Sequence, residues 1–361
     1  MMTIGERSQS TPAAHRSGPP LVFIHGIKGS VLTDAHGSIT WFTLWQALGL
    51  TAPALSLPLK WQGDTQQRDG LVATVPLASV AWHDVYAPFL DWAAASGFAF
   101  HPFAYDWRRD NLESTDAFIV FLEKVRRESG GARIQVVSHS MGGLITFAAV
   151  NRRPDLFQSV LFAGVPFGSS ISFLEDLHSG TSNGFNRRIL SPQVLFTFAS
   201  PYTLLPFDSK DSGLEEANGD QIVHDWHSAE DWARQKLGIF ADSASHAVAQ
   251  EQWAHLRKAL EHTHRFRSEI VYKDSVLYPP IAVLASESTP TVSTVRRNGP
   301  RSLNGWDFAS APMKPGDKRV AFAKAMPPGR MRYSIFKSSH AHEDLLNDTR
   351  QVASILAELS R

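Results

Sequence analysis

The stretch Gln135-Val136-Val137-Ser138-His139-Ser140-Met141-Gly142-Gly143 constrains this chain more than any other. Its apolar start fits a strand buried on both faces, the residues after it suit a sharp turn, and a helical pattern begins at Met141. Gly142 and Gly143 leave room where the strand and helix backbones converge. A serine at the top of such a turn stands exposed for attack, which is the context of a nucleophile elbow. Ser138 occupies a position where glycine is commoner, and serine is small enough to fit there. A serine hydroxyl is a weak nucleophile at neutral pH, so Ser140 requires an adjacent base and donors for the charge that develops on a carbonyl oxygen. The Met141 amide, at the N-terminus of the following helix, is the first expected donor.

Around this element the chain alternates. Apolar runs at 21–24, 98–104, 134–137, 160–163, 281–284 and 333–336 read as parallel strands. Apolar residues at three- and four-residue spacing predict helices over 85–95, 114–127, 141–151 and 343–359. This pattern predicts an α/β fold with a mostly parallel sheet and helices on both faces. Two segments interrupt it: residues 31–81, rich in Trp, Leu and Pro, read as a small cap, and residues 168–273, with a helical stretch over 229–260, read as an inserted lid. The expected organisation is a polar N-terminal tail over 1–18, a catalytic core made of 19–167 and 274–361, and the lid between its two parts.

Composition removes several classes of function. Lys plus Arg and Asp plus Glu each total 35, so no basic field draws in nucleic acid. The chain has no cysteine, which excludes disulfides, thiolate nucleophiles and cysteine metal sites. The opening residues carry charges and prolines where a signal peptide needs an apolar centre, and no stretch has the length of a spanning helix. The expectation is a cytoplasmic protein without a cofactor, its oligomeric state left open.

The remaining parts of a serine site follow in chain order. His25-Gly26-Ile27-Lys28-Gly29-Ser30 leaves the first strand as a Gly-rich loop, and the Ile27 amide is the expected second oxyanion donor. On a sheet of this kind the acid and then the base follow the serine. After the last predicted strand, His342 stands just ahead of a helical pattern and is taken as the base, with His340 as the alternative. Asp317, in Pro315-Gly316-Asp317-Lys318, is taken as the acid that orients it, with Asp307 as the alternative and a plain surface turn as the bland reading.

Several pieces together resemble the lecithin:cholesterol acyltransferase and lysosomal-type phospholipase A family: the His25 to Ser30 loop, Trp41 to Leu48, Tyr105-Asp106-Trp107-Arg108, Ser138 to Gly143, Gly164-Val165-Pro166-Phe167-Gly168, Gly316-Asp317 and His342. They keep the family's order across most of the chain. His25-Gly26 stands where members often have Pro-Gly, and Lys318-Arg319 follow Asp317 where members usually have Gly-Thr. The resemblance implies an α/β-hydrolase fold and a serine lipase, phospholipase A or O-acyltransferase acting on lipid esters through an acyl-enzyme. A small-molecule carboxylesterase and a non-catalytic binding protein of the same fold are the rival readings. Trp41 and Trp45 read first as packing between cap and sheet, and otherwise as a transient contact with a membrane surface. Arg108 reads as a structural anchor for carboxylates. His224, His227, His246, His255, His262 and His264 match no metal-ligand spacing, so no metal is expected.

Overall fold

The computed structural model describes residues 18–80, 83–183, 186–241 and 248–361. Of the expected N-terminal tail, only Gly18 falls among them, and His246 lies outside them.

Six strands form the central sheet: β1 (Leu21–Ile24), β2 (Phe100–Phe103), β3 (Ile134–His139), β4 (Phe157–Ala163), β5 (Ile281–Ser286) and β6 (Ser334–Ser338). Their order is β6-β5-β4-β3-β1-β2, and every pairing is parallel. All six coincide with the apolar runs. Parallel strands need crossovers that cover both faces, which is why the inner strands β1, β3, β4 and β5 are buried almost throughout, while the edge strands β2 and β6 are partly exposed. Alternation still sorts the side chains: Val22, Ile24 and Val136 point into one core with α2 (Asn111–Glu128) and α3 (Met141–Arg152). Leu21, Phe23 and Val137 point into the other, against α1 (Ala87–Ala95) and the C-terminal helix. Phe23 and Phe89 meet there at 4.9 Å, and burying each ring contributes roughly 1.5–3 kcal/mol.

The chain leaves β1 for β2 on one side and then crosses to β3, β4, β5 and β6 on the other. The connections leaving the carboxyl ends of β1 and β3 therefore run to opposite sides of the sheet, at the switch point where such sheets hold ligands. Three excursions rise around it. Residues 25–99 include an antiparallel sheet of Ser30–Thr33, Ile39–Trp41 and Val72–Pro76. Residues 164–280 include helices Ser172–Ser179, Ala229–Arg234 and Gln250–Glu269. Residues 287–333 include an antiparallel ladder of Thr289–Val292 and Met313–Gly316. The last two are joined by a small sheet in which Leu214 pairs with Val295 and Arg296 with Asp307, a link that the sequence pattern does not announce.

Two helical expectations need correction. The pattern over 343–359 is not one helix: His342–Asp344 form a 3-10 turn, and the helix proper is Thr349–Leu359. Asp348 accepts the Gln351 N–H at 3.1 Å and so starts the helix there. The stretch over 229–260 is likewise divided, with Ala229–Arg234 ending well before Gln250–Glu269 begins. No helix among the described residues is long and apolar enough to cross a membrane.

Candidate active site

Ser140 sits between β3 and α3 with φ 52° and ψ −127°, a conformation a non-glycine residue adopts only under local strain of roughly 1–3 kcal/mol. Its surroundings hold it there. The Ser140 N–H donates to the Ala163 carbonyl at 2.9 Å, and its own carbonyl accepts the Gly143 N–H at 2.9 Å. A Cβ on Gly142 would overlap the His25 carbonyl, and one on Gly143 would overlap the Val165 side chain, so both positions require glycine. Ser138 fits the position commonly held by glycine because its buried hydroxyl donates to the Leu161 carbonyl at 3.1 Å.

His342 arrives from the loop after β6. Its Nε2 lies 2.9 Å from Ser140 Oγ, and its Nδ1 lies 2.8 Å from Asp317 Oδ2. A carboxylate can only accept, so Nδ1 carries the proton and Nε2 is left to accept from the serine hydroxyl. The His342 N–H also donates to the Asp317 carbonyl at 2.8 Å, fixing backbone and ring against the same residue. Asp317 follows directly on Met313–Gly316, and its Oδ1 accepts the N–H groups of Arg319 at 2.9 Å and Val320 at 2.6 Å. Burial pushes its carboxyl up, but the His342 charge and hydrogen bond and the two amides outweigh that, and it rests below the ordinary carboxylate value.

The structure does not bring the alternatives to this point. His340 is held by Ser338, its Nδ1 3.2 Å from Ser338 Oγ. Asp307 accepts from the Arg301 and Ser310 amides in its own loop, at 2.9 and 2.8 Å.

Ser140 and His342 line a cavity of about 560 Å³, and Asp317 lies behind the His342 ring. Ile27 lines it beside Gly26, where an added Cβ would stand 2.8 Å from Ser140 Cβ, so the loop after β1 passes directly over the serine. Met141 is the first residue of α3, with its amide at the helix N-terminus. One wall is apolar, formed by Trp41, Phe42, Leu77, Val80 and Val85. Another carries Lys28, Lys318, Arg319 and Glu343. Burial lowers the Lys28 ammonium from its ordinary value, with Asp176 partly opposing the shift. Arg319 is paired with Asp176 at 2.6 Å.

Sequence reasoning passed over Gly164, which has φ 58° and whose Cβ would lie 3.0 Å from His342 Nδ1. It also assigned no role to His139 or Tyr86, both at the cavity. Gly164 belongs to a motif quoted for the family, and His139 adjoins the serine; nothing in the sequence ties Tyr86 to the site.

The other residues singled out fall outside the Ser140, His342 and Asp317 cluster. Trp41 is buried and packs on Trp107 at 5.3 Å, whereas Trp45 is 60% exposed and so is not the packing residue it was expected to be. Arg108 is fully buried and anchors Asp69 at 2.6 Å, Asp106 at 2.7 Å and the Leu55 carbonyl at 2.9 Å, which ties the segment carrying Leu55 and Asp69 to the end of β2. His262 lies beside Asp64 and Glu261, but its Nδ1 is 2.7 Å from Asp110 Oδ2 and Asp64 is held by Lys258 and Arg265. His255 bonds Trp61 and the Phe196 carbonyl, both at 3.1 Å. His227 packs against His264 at 4.9 Å, and His224 against Trp226 at 4.4 Å.

Comparison with known proteins places this geometry in context. The family model for lecithin:cholesterol acyltransferase matches residues 71–274. The uncharacterized protein YJR098C of Saccharomyces cerevisiae is 20% identical over 397 aligned residues, covering 92% of this chain and 60% of that protein. The lysosomal phospholipase A and acyltransferase of Canis lupus familiaris is 26% identical over 209 residues, covering 46% of this chain and 51% of that protein. The chain thus spans between half and two thirds of the length of either relative. A chain of the Tle4–Tli4 complex superposes with a TM-score of 0.58 at 13% identity, covering 96% of this chain and 98% of that one. The likeness is one of fold, and the fold is that of the α/β-hydrolases.

Proposed function

The chain belongs to the lecithin:cholesterol acyltransferase family, and from that premise we propose that it is a serine-dependent lipid-ester hydrolase or O-acyltransferase with Ser140 as nucleophile, His342 as base and Asp317 as the orienting acid. The observation that carries the proposal is the unbroken line from Ser140 Oγ through the His342 ring to Asp317, at 2.9 and 2.8 Å, with Ser140 and His342 opening onto a cavity that Trp41, Phe42 and Leu77 also line. The lecithin:cholesterol acyltransferase family model and the relative named as a lysosomal phospholipase A and acyltransferase support the substrate class.

In this mechanism Ser140 Oγ attacks the ester carbonyl while its proton passes to His342 Nε2. Charge moves onto the carbonyl oxygen, where the amides of Ile27 and Met141 donate to it. The tetrahedral centre collapses, the ester C–O bond breaks, and His342 returns the proton to the leaving alcohol. Water or a second alcohol, giving up its proton to His342, then attacks the acyl-serine; the bond to Ser140 Oγ breaks and His342 returns the proton to that oxygen. Water yields a free acid; an alcohol yields a new ester. Residues 168–273 serve as the lid, contributing Phe173 and Thr181 to the cavity, and their closure governs how much water reaches the acyl-enzyme. Residues 31–81 serve as a small cap. On it, Leu44, Trp45 and Leu50 stand exposed a few residues after the cavity-lining Trp41 and Phe42, apolar side chains suited to transient contact with a lipid surface.

The test is to incubate wild type and Ser140→Ala with acylglycerols, phospholipids and short nitrophenyl esters, with and without a long-chain alcohol, and to identify products by mass spectrometry. Serine-dependent release of long-chain acid, or formation of a long-chain ester, supports the reading. Serine-dependent turnover confined to acetyl and butyryl esters points to a small-molecule carboxylesterase. Equal products from wild type and Ser140→Ala refute the assignment.

A further inference from the structure

Two buried groups at the site take no part in the proton transfers just described: the phenol of Tyr86 and the imidazole of His139. Tyr86 immediately precedes α1, and His139 is the last residue of β3. Their hydrogen bonds run in one direction only. The His139 Nε2 lies 2.9 Å from the His342 carbonyl, which can only accept, so Nε2 carries the proton. The His139 Nδ1 must then accept, and Tyr86 Oη, 2.7 Å away, is its donor. The same oxygen accepts the Gly26 N–H at 3.1 Å. The line therefore begins on the backbone of the loop over the serine, passes through two side chains, and ends on the backbone of the residue proposed as base.

We propose that Tyr86 and His139 are positioning residues: a hydrogen-bonded brace that fixes the Gly26 loop and the His342 backbone relative to each other across Ser140. The inference rests on the reading of Ser140, Asp317 and His342 as a triad. It adds that the triad's geometry depends on two residues outside it. Packing immobilises both rings. Tyr86 meets Phe23 edge-on at 5.0 Å, and the rings of His139 and His342 are 4.8 Å apart. The brace works only with His139 neutral, because a protonated ring has no acceptor for the Tyr86 hydroxyl. It would also set a positive charge beside the imidazolium that forms on His342 during turnover. The surroundings favour the neutral form: burial, with the nearby His342, lowers His139 to about 3. Burial also pushes the Tyr86 phenol up, so it remains a donor.

Tyr86→Phe keeps the ring and its contact with Phe23 while leaving the Gly26 N–H and His139 Nδ1 without partners. With a soluble short-chain nitrophenyl ester, kcat is expected to fall about ten- to a hundredfold, the scale of a misplaced catalytic group, with KM within about threefold. His139→Leu should fall comparably. His139→Gln, whose amide can both accept and donate, should recover at least about tenfold over leucine, a rescue that loss of packing does not predict. Folded Tyr86→Phe and His139→Leu proteins with kcat within about twofold of wild type would overturn the brace. Nitrogen NMR of the histidine rings supplies a readout that needs no turnover. The wild type should show His139 as the neutral Nε2–H tautomer down to pH 5, and Tyr86→Phe should shift the ring signals of both His139 and His342. A His139 that titrates at its ordinary value, or a His342 spectrum unmoved by Tyr86→Phe, overturns the inference. If wild type lacks Ser140-dependent turnover, the functional reading fails, and the NMR result alone decides the brace.

Discussion

Replacing Asp317 with Asn isolates the acid's contribution with little change of shape. In the native site Oδ1 accepts two amides, at 2.9 and 2.6 Å, and Oδ2 faces His342 Nδ1 at 2.8 Å. Asn keeps its single carbonyl oxygen where it satisfies the two amides and thereby turns its NH2 toward Nδ1. A donor now faces the ring, so Nδ1 must accept and the proton moves to Nε2. Nε2 then donates to Ser140 Oγ instead of accepting from it, and the serine loses its base. Loss of the orienting carboxylate in a serine triad lowers turnover about 10⁴-fold, or roughly 5 kcal/mol of transition-state stabilisation. The assay is steady-state hydrolysis of a soluble nitrophenyl ester, with a denaturant titration to establish that the variant folds. A folded Asp317→Asn enzyme within about tenfold of wild-type kcat would refute this chain of reasoning.

Three other perturbations have defined outcomes. Gly164→Ala places a Cβ 2.7 Å from Leu345 Cδ1 and 3.0 Å from His342 Nδ1, at φ 58°; turnover should fall at least about tenfold as the ring is displaced, and a wild-type rate would exclude that crowding. Arg108→Met leaves the Asp69 and Asp106 side chains, only 16% and 10% exposed, without their cation and should destabilise the protein by about 3–5 kcal/mol in a denaturant titration; a change below about 1 kcal/mol would remove Arg108 as the anchor of the Leu55 and Asp69 segment. His25, His224 and His255 are fully buried, and burial lowers each from 6.5 to about 4. The unfolded chain binds those protons and the folded chain does not, so their stabilising effect is complete above pH 6.5 and is lost as pH falls from there toward 4. Each should weaken the fold by about 2 kcal/mol at pH 5, so a denaturation midpoint equal at pH 7.5 and pH 5 would contradict their burial in the neutral form.

What the sequence made legible follows from how local each signal is. The inner sheet strands stood out because a parallel sheet covered on both faces demands unbroken apolar runs, as in Val160 to Ala163. Ser140 stood out because its strand, turn and helix are contiguous. His342 could be named only by its position after the last strand, and Asp317 only by order along the chain. The structure brings both to Ser140 through a polar loop and a small antiparallel ladder whose residues carry no strong periodicity. The break before Thr349 was hidden because Leu345, Leu346, Val352, Ile355 and Leu356 keep a helical spacing across the Asp348 cap. Tyr86 was beyond reach of any local rule, since its partners Gly26 and His139 lie more than fifty residues away on either side. Trp45 misled because tryptophan is usually buried, and only the placement of the short helix Leu44–Ala47 leaves it outside.

The measurement that bears most directly on the central claim is covalent capture of the nucleophile. Wild type, Ser140→Ala and His342→Ala would be treated with a long-chain alkyl fluorophosphonate, and the adduct located by intact mass and peptide mapping. An activated Ser140 predicts one adduct per chain in wild type, on the peptide containing Ser140. It predicts no adduct in Ser140→Ala and labelling slowed at least about a hundredfold in His342→Ala. Labelling that survives Ser140→Ala, or that proceeds at the wild-type rate without His342, would contradict the account.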